Sequence, residues 1–155
     1  MPKLAANFSM MFGEVDMLER FELAARVGFQ GAEIQDPYGQ SCAEIASAYR
    51  DNGLEAVLFN LLPAVGAVPG RERDFETGCT RALDYAEAAG CAQIHCMAGS
   101  TDDPGAEATF VANLRRASAE ARPLGVRLLL EPLNTQDNPG CFLTGSAQAR
   151  RIIDL

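Results

Sequence analysis

One pattern recurs four times in this chain and constrains its fold more than any other feature. A helix-like stretch ends at a glycine, and an apolar strand begins within a few residues. The copies run through Phe21 and Ala24-Ala25 to Gly28, then Ala32-Glu33-Ile34; through Ile45-Ala46 to Gly53, then Ala56-Val57-Leu58-Phe59-Asn60; through Leu83 and Ala86 to Gly90, then Gln93-Ile94-His95-Cys96-Met97; and through Leu114 and Ala117 to Gly125, then Leu128-Leu129-Leu130-Glu131. A glycine at such a place suits the left-handed residue that closes a helix. The glycines are 25, 37 and 35 residues apart, spacings that fit βα units of a parallel sheet. With Leu4-Ala5-Ala6-Asn7 as a first strand and a fifth helix beginning near Ser146, five strands alternate with helices. Layer rules make such an alternation an α/β fold.

The helical stretches carry matching apolar stripes at three-to-four spacing. These are Met17, Leu18, Phe21, Ala24 and Ala25; Phe75, Cys79, Ala82, Leu83 and Ala86; and Phe110, Val111, Leu114, Ala117 and Ala121. Asp16 and Ser41 are the expected N-caps. Two architectures accommodate the alternation: an open doubly wound sheet, or part of a (β/α)8 barrel, which takes eight strands and about 250 residues. Neither GxGxxG nor GxxxxGK[ST] follows any strand, so an open nucleotide-binding sheet lacks its signature.

A chain of 155 residues with 48% apolar and 22% charged residues reads as one domain, 1–155, with a sizeable core. The net charge of −8 argues against gripping phosphate backbones, so no nucleic-acid partner is expected. The five cysteines include no CxxC pair, and there is a single histidine, too few close ligands for a zinc site. Reduced, mostly buried thiols in a reducing compartment are expected. Met1-Pro2-Lys3 leads straight into a strand-like run, and no apolar stretch approaches a membrane span; a cytoplasmic protein is expected.

The candidate chemistry sits where the strands end. Leu128-Leu129-Leu130 stops abruptly at Glu131, and Pro132 then ends the strand. Carboxyl ends of parallel strands are where α/β folds place their chemistry. The other strand ends supply Asn7, Glu33 with Gln35, Asn60 and His95. A rim of two carboxylates, an imidazole and amides can bind a hard divalent cation and a polyoxygenated substrate, and can move protons. Each residue also has a plainer reading. Glu131 caps a strand or pairs with an arginine, His95 is a satisfied rim group, Glu33 is an interior ion-pair partner, and Asn60 satisfies loop backbone. Tyr38 is equally a lid over the core or a substrate wall.

Several segments together resemble the hydroxypyruvate isomerase family, within the xylose isomerase-like TIM barrels. They are Leu4-Ala5-Ala6-Asn7-Phe8-Ser9-Met10-Met11-Phe12, Leu18-Glu19-Arg20-Phe21, Gly28-Phe29-Gln30-Gly31-Ala32-Glu33, Leu58-Phe59-Asn60-Leu61, Pro69-Gly70-Arg71-Glu72, His95-Cys96-Met97-Ala98-Gly99 and Leu129-Leu130-Glu131-Pro132-Leu133-Asn134-Thr135. The resemblance covers essentially the whole chain and includes relatives that isomerise 2-oxo-tetronates. It implies an incomplete (β/α)8 barrel of about five βα units, ending within the fifth helix. It also implies an aldose–ketose isomerisation of hydroxypyruvate and tartronate semialdehyde through an enediol. In that reading Glu131 is the acid/base and a ligand of Mg2+ or Mn2+, and His95 contacts substrate; Asn60, Asn7 and Glu33 are candidate substrate contacts from their places at the rim.

The departures from that family carry their own expectations. Family members have three more strands, which supply a second catalytic glutamate and further metal ligands, so the ligand set here is incomplete. The segment from Asn60 to Gly70 is shorter than the usual polar loop. An unclosed barrel exposes two sheet edges, and exposed edges invite pairing; self-association is the expectation, or a catalytically inactive fragment acting through binding. A third reading, a DNA-repair endonuclease of the same superfamily, conflicts with one histidine and a charge of −8.

Overall fold

The computed structural model describes residues 2–155 and contains one parallel sheet of five strands. In chain order the elements are β1 (Ala5–Asn7), α1 (Glu19–Arg26), β2 (Gly31–Ile34), α2 (Cys42–Asp51), β3 (Glu55–Leu61), α3 (Glu72–Ala89), β4 (Gln93–Cys96), α4 (Ala106–Ala121), β5 (Arg127–Leu129) and α5 (Ser146–Ile153). Each strand pairs with the next in sequence, in the order β1-β2-β3-β4-β5. This singly wound order decides between the two architectures. A doubly wound sheet reverses direction at a switch point, whereas a barrel wall adds its strands consecutively.

The outer face of the sheet is apolar and covered by helices. Ile34, Phe59, Ile94 and Leu128 lie side by side in register, and the first three are buried. Beneath the helices runs an aromatic chain: Phe8 meets Phe21 at 4.9 Å, Phe21 meets Tyr49 at 4.8 Å, and Tyr49 meets Phe59 at 6.2 Å, all edge to face. Such contacts add to the burial of large rings. The Tyr49 hydroxyl donates to the Ala32 carbonyl at 2.9 Å, so this buried polar tip is satisfied. All five residues of the expected α3 stripe are buried. Gly28, Gly53, Gly90 and Gly125 all have positive φ, as expected of helix-closing residues.

Some expectations on local structure are corrected. Ser41 caps α2 through a full capping box with Glu44, but Asp16 does not cap α1. Helix α1 begins at Glu19, Leu18 holds the N-cap position without a side-chain bond, and only the Asp16 carbonyl contributes, accepting the Glu19 N–H at 3.0 Å. Leu18 accordingly lies in the entry turn, 38% exposed, outside the α1 stripe. Leu4 precedes β1, and Met97 follows β4. Strand β5 stops at Leu129, paired with His95, so Leu130 and Glu131 lie beyond the ladder rather than within it. Pro132, which has no N–H to donate, bars its resumption.

A bulge in β3 orients the inner face. Ala32 pairs with Ala56, but Glu33 pairs with Leu58, leaving Val57 as the extra residue. A Cβ on Gly31 would stand 2.8 Å from the Val57 side chain. The glycine therefore makes the room that the bulge needs. After the bulge, Leu58 and Asn60 face the same side as Glu33.

Candidate active site

The inner face of the sheet brings the five expected rim residues to one cavity of about 640 Å3. Asn7, Glu33, Asn60, His95 and Glu131 all line it, with Gln35. Asn7 and Glu33 are register partners on β1 and β2; Asn60, His95 and Leu129 form the next layer across β3, β4 and β5. Glu131 follows two residues after Leu129 and rises above that layer. Met10, Met97 and Asn138 also line the cavity. Sequence reasoning gave these three no site role, because apolar side chains and a loop amide carry no catalytic pattern.

The polar groups are wired to one another. The Asn7 amide donates to the Glu33 carboxylate, while Asn7 Oδ1 accepts the Ser9 N–H at 2.9 Å. Glu33 is thus held by an amide rather than by the ion pair of its plainer reading. Burial raises its pKa, and the nearby Glu131 charge raises it further. Asn60 Oδ1 lies 3.2 Å from His95 Nδ1. An amide oxygen can only accept, so Nδ1 carries the proton and Nε2 is left as an acceptor. Burial lowers the His95 pKa, and Glu131 partly opposes that shift. The imidazole is therefore a neutral group at the floor of the site.

Glu131 is the exposed member of the set. Its carboxylate lies 3.8 Å from His95 Nδ1, with its side chain 64% exposed against 8% for His95. That places an accessible base over a buried, oriented imidazole. Tyr38 belongs elsewhere. Its hydroxyl donates to the Asn60 carbonyl at 2.5 Å, and the Arg81 guanidinium sits 4.0 Å above its ring. Tyr38 is a brace behind β3, and it does not line the cavity that holds His95.

A second cavity, of about 560 Å3, adjoins the first and shares His95, Met97, Glu131, Leu133 and Asn138 with it; Arg71 and Ser100 line it as well. Its wall is the segment after β3. The Gly66 and Ala67 N–H groups donate to the Met97 and Ala98 carbonyls at 3.1 and 2.7 Å, and buried Asn113 on α4 donates to the Gly66 carbonyl at 2.8 Å.

As a metal centre the site is partial. Glu131 and Glu33 are its hard oxygen donors, and Glu33 already gives one of its two oxygens to the Asn7 amide. No group of three or more His, Cys, Asp or Glu side chains able to hold a metal ion occurs among the described residues. Two carboxylates do not fill a six-coordinate oxygen sphere, so these residues by themselves do not fit Mg2+ or Mn2+. The five cysteines are free thiols, and among the described residues no helix is long and apolar enough to cross a membrane.

Known proteins share both sequence and architecture with this chain. Residues 21–155 match the family model of the xylose isomerase-like TIM barrel. The chain is 40% identical to hydroxypyruvate isomerase of Escherichia coli, across 99% of this chain and 64% of that protein. It is 42% identical to 2-oxo-tetronate isomerase of Cupriavidus necator, across 98% of this chain and 63% of that protein. A crystal structure from Brucella melitensis, described as an AP endonuclease of family 2, superposes with a TM-score of 0.96 at 39% identity, over 99% of this chain and 64% of that one. The chain thus spans less than two thirds of the length of these relatives. Consecutive parallel strands, a polar rim at their carboxyl ends and the match over residues 21–155 show that the chain belongs to the xylose isomerase-like TIM barrel family.

Proposed function

We propose that this chain carries the proton-transfer site of an aldose–ketose isomerase that interconverts hydroxypyruvate and tartronate semialdehyde, with Glu131 as the acid/base. The observation that carries the reading is the pairing of an accessible Glu131 carboxylate with the buried, neutral His95 in one polar cavity. The similarity to hydroxypyruvate isomerase and 2-oxo-tetronate isomerase supports the same chemistry.

Hydroxypyruvate carries a hydroxymethyl carbon beside its ketone. The Glu131 carboxylate takes a proton from that carbon, and the electron pair moves into an enediolate. The protonated Glu131 then returns the proton to the neighbouring carbon, which was the ketone, while the hydroxyl proton passes from one oxygen to the other. Atoms and electrons balance, because the product is an isomer. General-base catalysis of this kind contributes about 10²–10⁴-fold. His95 Nε2 accepts from a substrate hydroxyl, and Asn60 fixes the ring for that contact. Asn7 and Glu33 form the far wall of the cavity. A divalent cation would find one ligand here in Glu131, would need its other ligands from outside this set of residues, and would supply positive charge for the enediolate oxygens.

A 2-oxo-tetronate is the second substrate reading. It undergoes the same transfer with one more carbon, and the relative at 42% identity favours it. Phosphodiester cleavage is not favoured: a net charge of −8 and one histidine suit neither a nucleic-acid surface nor a multi-histidine metal cluster. The open edges of β1 and β5 make self-association part of the proposal, and size-exclusion chromatography showing a compact, cooperatively melting monomer would contradict that part.

The test is turnover of hydroxypyruvate and of a 2-oxo-tetronate by the purified chain with Mg2+ or Mn2+, beside Glu131→Gln. Turnover lost in the variant supports the reading. A folded wild type without turnover, or turnover that survives in Glu131→Gln, rejects it for this chain and leaves a binding role.

A further inference from the structure

We propose that Arg71 is the residue that binds the substrate carboxylate and so selects 2-oxo acids over neutral ketoses. The inference rests on the isomerase reading for its substrate class, but its grounds are separate. Both cavities of the site are lined by Glu131, and the larger one also by Glu33. An anionic substrate entering that field needs a counter-charge. Arg71 is the one lysine or arginine among the residues lining the two cavities, and it shares its cavity with both His95 and Glu131.

The guanidinium is poised for such a contact. Its Nε edge is engaged by Asp74, while the terminal nitrogens have no protein acceptor among the described residues. A planar guanidinium presents paired N–H groups that match a carboxylate. Ser100 and Asn138, in the same cavity, offer further hydrogen-bond donors. The backbone that carries Arg71 is anchored: Val65 and Ala67 are buried, Gly66 and Ala67 are tied to the segment after β4, and the Arg71 N–H donates to the Val68 carbonyl at 3.2 Å. A Cβ on Gly66 would stand 2.7 Å from the Phe110 ring and 2.8 Å from the Met97 carbonyl, so this strap has little freedom to move.

Ligand-observed NMR on the full chain tests the proposal, with hydroxypyruvate and dihydroxyacetone, which has a hydroxymethyl group in place of the carboxylate. The wild type is expected to bind hydroxypyruvate roughly tenfold or more tightly than dihydroxyacetone, the scale of a charged hydrogen bond. Arg71→Met removes that preference, Arg71→Lys restores part of it, and Glu131→Gln keeps it. Arg71 is exposed, so unchanged melting of Arg71→Met is expected and serves as the folding control. A preference that survives in Arg71→Met, or a wild type without preference or binding, overturns the proposal. An Arg71-dependent preference without any isomerisation leaves the carboxylate site standing and rejects the isomerase reading. Isomerisation indifferent to Arg71→Met does the reverse.

Discussion

His95 Nδ1 stands 3.8 Å from the Glu131 carboxylate, the one group almost wholly buried and the other largely in solvent. This contrast suits the two residues to different roles in the proposed reaction. Glu131 stands open to solvent at the mouth of the cavity. His95 is kept neutral by burial and is aimed by Asn60.

The His95 titration should reveal that balance. Its pKa is lowered from 6.5 by burial and partly restored by Glu131. Being the only histidine, it gives unobstructed imidazole signals in an NMR titration. The expected midpoint lies below 6.5 in the wild type and falls further in Glu131→Gln, which removes the opposing charge. Linkage sets the stability change. Above pH 6.5 the imidazole is neutral in both states; as pH falls below that, the unfolded chain takes up the proton first and stability drops, until the folded pKa is passed. A midpoint at or above the ordinary value contradicts this account.

Glu33 should show the opposite sense for a carboxyl. Its pKa is raised above 4.5 by burial and by the charge of Glu131. Stability is favoured at low pH, and it declines as pH rises from the ordinary value through the raised folded one. Chemical denaturation across this range should show the decline in the wild type and a flatter profile in Glu33→Gln.

Asn113 ties α4 to the strap that carries Arg71. Its side chain is buried, and its amide donates to the Gly66 carbonyl. Asn113→Leu leaves that carbonyl without its partner, at a cost of about 1–3 kcal/mol. Denaturant unfolding should show this loss, and hydroxypyruvate affinity should weaken with it.

Gly31 makes room for the β3 bulge. Gly31→Ala pushes a methyl against Val57, and overpacking of this kind costs about 1–3 kcal/mol. In Gly31→Ala/Val57→Ala part of the stability should return, because the nearest clash is removed. A double variant as unstable as the single one would mean that the Glu55 carbonyl, 3.0 Å from the same Cβ, dominates instead.

The alternation of strands with helices and the polar rim were legible because both follow from local patterns, whereas the strand order was not: periodicity suits a doubly wound sheet as well as a barrel wall, and only the family resemblance pointed to the consecutive order. A closing glycine followed by an apolar run marks a βα unit whatever its surroundings, and residues at the ends of parallel strands must share a rim. Asn7, Glu33, Asn60, His95 and Glu131 reach one cavity for that reason. The bulge at Val57 was not legible, since an extra strand residue shows only in the pairing of β2 with β3. Nor was the true end of β5, where Leu130 and Glu131 look strand-like but pass beyond the ladder. Asp16 has the composition of a cap, but the chain turns through Met17 and Leu18 before α1 starts. Arg71, within Pro69-Gly70-Arg71-Glu72, has no evident role in the sequence, because its cavity is assembled from segments distant along the chain.

The central claim is that Glu131 moves a carbon-bound proton, and exchange with solvent tests it most directly. Hydroxypyruvate incubated with the chain in D2O, with Mg2+ or Mn2+ present, is followed by NMR at its hydroxymethyl carbon. The account predicts deuterium incorporation well above the rate without protein, falling by about 10²-fold or more in Glu131→Gln. Exchange at equal rates in wild type and variant, or none beyond background from a folded wild type, would contradict it.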